Sequence, residues 1–114
     1  MSEPVSPASI GRFRVCAAAQ LELGRAQLVR VAGHDLCVAR CEDGIHAIDD
    51  VCSHEDYSLS EGEVDPATCE VECWAHGSVF SLLDGEPQNL PATRPVAVYP
   101  VEVDGGDVYV VIPR

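Results

Sequence analysis

The sequence predicts an all-β fold of stacked antiparallel sheets. No segment of useful length places apolar residues at the helical period of about 3.6 with capping residues at its ends. Short runs instead alternate polar and apolar residues, and turn-forming residues recur about every eight to twelve positions. A chain of 114 residues also fits one domain. These observations together predict a β-sandwich or a small barrel.

The first half of the chain is predicted to be a short tail followed by an antiparallel meander. Residues 1–10 are assigned to a flexible tail, because they have neither the basic start nor the apolar stretch of a secretory signal. The meander is indicated by alternating runs that are separated by glycine-containing turns. Its predicted strands span 12–16, 26–31, 36–40 and 45–49.

The second half is predicted to be less regular. Two loops, 52–60 and 73–78, interrupt the β framework and flank a short strand. A turn and a proline-rich segment follow, and two closing strands end the chain. The strands predicted here span 68–73, 79–82, 96–103 and 108–112.

Charge and hydropathy narrow the classes of partner. The chain has 19 acidic and 7 basic residues, which gives a net charge of −12. Such a surface disfavours nucleic acid and anionic membranes as partners. No apolar run approaches the roughly 20 residues that cross a bilayer. We therefore expect a soluble, cytoplasmic, monomeric protein, whose acidity serves either solubility alone or electrostatic steering toward basic patches on partner proteins.

Six cysteines in so short a chain raise the possibility of disulfides. Four of them, Cys16, Cys37, Cys41 and Cys69, lie in apolar or strand-like surroundings. Reduced core thiols are predicted for most of these. Cys69 is close enough in sequence to the second loop to be an alternate metal ligand, but its strand pattern favours core packing.

The other two cysteines belong to a split metal-ligand motif. The first loop offers a thiolate and an imidazole as C-x-H, at Cys52 and His54, and the second offers them as C-x2-H, at Cys73 and His76. A tetrahedral zinc site is one possible use of this set. Zinc modules, however, usually pair two cysteines in one knuckle, whereas each loop here holds one ligand of each kind. The arrangement suits two irons better than one ion.

The whole pattern resembles the Rieske ferredoxin family, from about residue 13 to residue 112. Besides the ligands, the residues in family order are Leu59-Ser60-Glu61-Gly62, the stretch 77–80 and Asp84-Gly85. The resemblance implies a single domain over 11–114, with a cluster-binding part, about 46–86, inserted in a base sandwich. The remaining histidines, His34 and His46, are predicted to be ordinary residues.

The resemblance also assigns roles around one [2Fe-2S] cluster. It implies that Cys52 and Cys73 hold the buried iron and that His54 and His76 hold the outer one. Two further cofactor-binding residues are implied, Ser78 as a hydrogen-bond donor and Pro91 in a loop that shields the cluster.

Three features separate this chain from other members of the family. Trp74 stands where the family usually has proline, and a turn at 65–68 absorbs a long interval between the ligand loops. Tyr57 and Ala75 occupy the positions where high-potential members have a disulfide, and Phe80 cannot supply a second hydroxyl donor. These residues predict a reduction potential in the lower part of the class range.

The predicted function is one-electron transport rather than catalysis. By resemblance, the protein takes electrons from a flavin-dependent ferredoxin reductase and passes them to a terminal oxygenase, such as an aromatic-ring-hydroxylating dioxygenase. Glu61, Glu63 and Asp65 are read as a solvated acidic face, since no nucleophile or substrate motif accompanies them. Two alternatives stay open: the small Rieske-like subunit of an assimilatory nitrite reductase, and an accessory ferredoxin of iron-sulfur cluster assembly.

Overall fold

The computed structural model describes residues 10–113 and confirms the all-β prediction. Two 3-10 turns, Ala18–Gln20 and Leu59–Glu61, accompany the strands. Within the described residues no helix has the length and apolar character needed to cross a membrane. The strands are β1 Ile10–Ala17, β2 Ala26–Val31, β3 His34–Cys41, β4 Gly44–Asp49, β5 Glu63–Asp65, β6 Glu70–Glu72, β7 Val79–Ser81, β8 Val98–Tyr99, β9 Val101–Asp104 and β10 Asp107–Pro113.

These strands form three antiparallel sheets, ordered β1-β10-β9, β2-β3-β4-β8 and β5-β6-β7. Strand β3 lies between two apolar cores. Its Leu36 and Val38 pack into a core shared with β10, while Cys37 and Ala39 pack into a second core beneath the two predicted metal-binding loops. Because side chains alternate across a strand, this double burial makes β3 apolar on both faces.

The predicted meander is confirmed as β2, β3 and β4, with a tight turn between β2 and β3. The single strand predicted over 96–103 is wrong in one respect, because it is broken at Pro100. Proline lacks the N–H needed to continue a ladder, and the chain changes sheets there, from β8 beside β4 to β9 beside β10. Strand β5 was not predicted. Of the predicted tail, 1–10, only Ile10 lies within the described residues, and it begins β1.

The prediction of reduced thiols is wrong for Cys41 and Cys69, which form a disulfide with their Cα atoms 5.4 Å apart. Cys69 is buried, as predicted, but it lies in the turn between β5 and β6 rather than on a strand. That turn brings it against the end of β3. Cys16 and Cys37 are free and buried, as predicted.

The third sheet approaches the 3-10 turn at Leu59–Glu61 so closely that only glycine fits at position 62. A methyl group on Gly62 would collide with the backbone carbonyl oxygen of Glu72 in β6. The obstacle is backbone and cannot rotate away. The close contact fixes the start of β5 beside the strand that leads into the second predicted metal-binding loop.

We therefore expect Gly62→Ala to lower the free energy of unfolding by about 1–3 kcal/mol, the usual cost of overpacking. Urea titrations followed by far-UV circular dichroism, at equal cluster content, measure the change. Gly33→Asn is a suitable control, because Gly33 has φ +81° in an open turn and asparagine tolerates that conformation. A Gly62→Ala protein as stable as the wild type would show that the approach of β6 is looser than described.

Candidate metal centre

The first predicted metal-binding loop, residues 52–58, is closed by its own backbone. The Cys52 N–H donates to the Tyr57 carbonyl at 2.9 Å, and the Tyr57 N–H donates to the Glu55 carbonyl at 2.8 Å. A bridge between Val51 and Ser58 ties the two ends of the loop together. The positions of Cys52 and His54 are thus set by local hydrogen bonds.

Asp50 anchors this loop from below, and the sequence analysis missed it. Only 4% of its surface is exposed. Its carboxylate accepts hydrogen bonds from the Ser58 hydroxyl and from the Ser60 N–H at 2.8 Å, and its backbone carbonyl accepts one from the Leu59 N–H. No local pattern distinguishes Asp50 from the other acidic residues, because its partners lie eight to ten positions ahead.

The second loop, residues 73–78, joins β6 to β7 and is closed in the same way. The Cys73 N–H donates to the Ser78 carbonyl at 2.7 Å, and the Gly77 N–H donates to the Cys73 carbonyl at 2.9 Å. Gly77 has φ +76°, a conformation that glycine adopts without strain. The reversal returns the chain to β7 directly after His76.

The segment 87–95, called the proline loop below, connects the two metal-binding loops. Asn89 accepts a hydrogen bond from the Val79 N–H at 2.7 Å and donates one to the Gly77 carbonyl at 3.0 Å. At the other end of the segment, the Ser53 hydroxyl donates to the Arg94 carbonyl. The sequence analysis did not single out Asn89. Pro91, which it did, follows a cis peptide bond and is half-buried at the middle of this loop.

The four predicted ligands are divided between interior and surface. Cys52 and Cys73 have 2% and 0% of their surfaces exposed, whereas His54 and His76 are exposed. The two imidazole rings meet edge to face, with centroids 5.0 Å apart. The loops therefore place thiols inside and imidazoles outside, next to each other.

Hydrogen bonds and burial act on the ligands in opposite directions. Burial raises the pKa of the Cys52 thiol, the backbone N–H groups of His54 and Glu55 partly offset this, and the adjacent Cys73 thiol raises it further. A bound metal cation would reverse that balance in favour of thiolates. The His76 Nε2 lies 3.1 Å from a carboxylate oxygen of Glu55, which leaves Nδ1 for a metal.

Ser78 provides an independent indication that a cofactor belongs here. Its hydroxyl group is fully buried and accepts a hydrogen bond from the Ala92 N–H at 3.1 Å. Within residues 10–113 no acceptor is found for the hydroxyl proton. Buried donors without acceptors are costly, and a cluster sulfide would satisfy this one. The residues present fit a cluster that binds two thiolates on the inner side and two imidazoles on the outer side.

The residues that depart from the family pattern surround the outer histidine. The rings of Tyr57 and Trp74 meet edge to face with centroids 5.1 Å apart, and Tyr57 in turn contacts His76 at 5.4 Å. Trp74 is 55% exposed, so it is not a packed aromatic at the base of the loop. Phe80 is buried and offers no hydroxyl.

Comparison with known proteins agrees with this geometry. The Rieske [2Fe-2S] domain family matches residues 11–100. Ferredoxin CarAc of Metapseudomonas resinovorans is 41% identical over 99 residues, which cover 86% of this chain and 91% of that protein. Its name, and those of the structures below, describe electron carriers rather than catalysts.

Two solved structures share the fold. The ferredoxin of carbazole 1,9a-dioxygenase from Nocardioides aromaticivorans IC177 superposes with a TM-score of 0.85 at 34% identity, covering 90% of this chain and 98% of that one. A ferredoxin in a complex of reduced oxygenase and oxidized ferredoxin in carbazole 1,9a-dioxygenase superposes with a TM-score of 0.80 at 40% identity, covering 87% and 91%. The chain belongs to the Rieske [2Fe-2S] domain family and is an electron-carrying ferredoxin with one Rieske-type cluster.

Proposed function

We propose that this ferredoxin carries single electrons from a flavin-dependent reductase to the terminal oxygenase of an aromatic-ring-hydroxylating dioxygenase. The observation that carries the proposal is the one-sided exposure of the site. The two thiols are buried and the two imidazoles reach the surface, so a partner protein can approach only from the histidine side. A related ferredoxin bound to its oxygenase supports the choice of acceptor.

Four residues are proposed as the cluster ligands. Cys52 and Cys73 would hold the inner iron, and His54 and His76 the outer one. When bound, the cluster accepts and releases one electron, and the histidine-bound iron is the one reduced. Neutral imidazoles lower the negative charge around that iron, and so they make its reduction easier than four thiolates would.

Other residues of the chain position these ligands and exclude water from them. Glu55 fixes the orientation of the His76 ring through Nε2. Ser78 would donate its hydroxyl proton to the cluster, and Pro91 would cover it from the proline loop. Leu59, Phe80 and other buried side chains of the second core close the inner side. A rigid, dry shell limits the structural change that accompanies each electron transfer.

The surface next to the histidines suits a basic partner. Glu55 and Asp56 are exposed beside His54, and the chain as a whole has a net charge of −12. Such a distribution speeds association with a positively charged patch and makes it sensitive to salt. The exposed Trp74 and Leu90 are apolar side chains from two of the loops around the site.

The domain boundaries, the oligomeric state and the cellular location are also proposed. Residues 11–114 would form one Rieske domain, with the cluster-binding part at about 46–86, and the protein would act as a cytoplasmic monomer. The separate core beneath the metal-binding loops supports the boundary of the cluster-binding part. The disulfide between Cys41 and Cys69 bears on the location, because disulfides rarely persist in a reducing cytosol.

The purified protein should be brown and should titrate with a midpoint potential in the lower part of the Rieske range, about −150 mV to slightly above zero. The reason is that Ser78 is present as a donor while Phe80 cannot act as one. Spectroelectrochemical titration measures the midpoint. A value above about +200 mV would contradict the account, and a colourless protein with one zinc ion would reject the cluster itself.

Replacing His76 by cysteine should lower the midpoint by on the order of 100 mV or more, with partial retention of the cluster, because a charged thiolate replaces a neutral ring. The same titration measures the change. His34→Cys, a substitution outside the metal-binding loops, should leave the midpoint where it is. If His76→Cys leaves it unchanged too, His76 is not a ligand.

Trp74→Ala should raise the KM of a terminal oxygenase for this ferredoxin about tenfold while leaving the midpoint potential unchanged, as expected for an exposed aromatic anchor at an interface. A reconstituted assay with reductase and the oxygenase of a carbazole dioxygenase measures both kinetic constants. Leu28→Ala is the matched control, because Leu28 is an exposed apolar residue of β2, in the base sandwich. Equal KM values for the two variants would show that Trp74 does not contact the partner.

A further inference from the structure

A second group of metal-ligating side chains lies where two turns meet. Cys41, Asp43, His46 and Cys69, called the second site below, offer ligand atoms that all lie within 4.8 Å of one another. The two cysteines form the disulfide, and His46 Nε2 lies 3.0 Å from a carboxylate oxygen of Asp43. Neither Asp43 nor His46 is needed to form a disulfide.

Strand pairing explains how three of these residues come together. Cys41 is the last residue of β3 and pairs with Gly44, while His46 of β4 pairs with Ala39. Residues 39 and 41 point to the same face of β3, so Cys41 and His46 are diagonal neighbours on that face. Asp43 belongs to the turn between the two strands and reaches the imidazole from there.

Cys69 is brought to the second site by the turn between β5 and β6. It has φ +59°, which is uncommon for a residue other than glycine, and its backbone is held at both ends. Its N–H donates to the Asp65 carbonyl at 2.8 Å, and its carbonyl accepts from the Leu82 N–H at 2.8 Å. These bonds position Cys69 whether or not its sulfur is bonded to another residue.

A further backbone bond joins the two turns directly. The Glu42 N–H donates to the Pro66 carbonyl at 3.0 Å. Opening the disulfide would therefore leave both thiols close together, beside the imidazole and the carboxylate. An open groove of about 350 Å³, lined by Asp43, Pro66, Cys69 and Leu83 among others, gives a reductant or an ion access to Cys69.

We propose that the second site is a redox-gated zinc site. Two electrons and two protons from a dithiol or phosphine reductant convert the disulfide to two thiols. Binding of Zn²⁺ then releases the two thiol protons and forms bonds to two thiolates, the His46 imidazole and an oxygen of Asp43. Oxidation of the two thiolates by a disulfide oxidant re-forms the S–S bond and expels the ion.

Zinc is the ion that this ligand set suits best. Two thiolates, one imidazole and one carboxylate match its tetrahedral preference, and hard cations such as Mg²⁺ or Ca²⁺ require oxygen ligands throughout. Either state of the second site ties the turn after β3 to the turn before β6. The strand that carries Cys73 is thus held in oxidising and in reducing surroundings alike.

The test uses the holoprotein, with its [2Fe-2S] cluster intact, so that His54 and His76 are not free to bind added zinc. Protein with and without anaerobic phosphine reduction is incubated with zinc chloride and desalted. Zinc and iron are then counted by elemental mass spectrometry. The expected result is one zinc per chain in the reduced sample, none in the oxidised sample, and the same iron content in both.

Variants assign the zinc to the second site. His46→Ala should weaken zinc binding by the reduced protein at least about tenfold, and Cys69→Ser should abolish it. His34→Ala, a histidine outside the second site, is the matched control and should bind zinc normally. His46 is partly exposed, so its alanine variant keeps the test valid even if Cys69→Ser does not fold.

Two results would overturn the proposal. One is a reduced wild-type protein that retains no zinc. The other is zinc that remains equally bound in His46→Ala and His34→Ala, because the ion would then lie elsewhere. Neither result would affect the assignment of the [2Fe-2S] cluster, which the iron content reports separately.

Discussion

Two thiols must be buried directly beneath two imidazoles that remain exposed, and the rest of this structure depends on that constraint. The thiols of Cys52 and Cys73 lie in an apolar core, where thiolates are stable only beside a metal cation and backbone N–H donors. The histidines lie only two and three residues further along the chain. Each metal-binding loop must therefore pass from interior to surface within one tight turn.

The surrounding fold makes such turns possible. A four-stranded sheet with both faces of β3 buried supports one core for the base and another for the site. Asp50 closes the first loop from below, and Asn89 ties the second loop to the proline loop. Each of these contacts replaces flexibility with backbone hydrogen bonds. The result is a rigid site with one open side, which suits a carrier that must meet a donor and an acceptor in turn.

Much of this could be predicted from the sequence because the signals are local. The ligands lie within two short motifs, and the meander follows from alternating runs and glycine turns. The parts that were missed depend on contacts between distant residues. Cys41 and Cys69 are separated by 28 positions, and their pairing follows from where two turns meet in space. Asp50, Asn89 and the short strand β5 have no periodic pattern, and Pro100 breaks a run that otherwise reads as one strand.

The central claim is that two histidines, one from each loop, bind the outer iron. Pulsed EPR of the dithionite-reduced protein tests it most directly, with samples in which histidine alone carries ¹⁵N. Two strongly coupled nitrogens that change isotope with the histidine label are the predicted result, and each should disappear separately when His54 or His76 is replaced by cysteine. A spectrum with one coupled nitrogen or none would contradict the account.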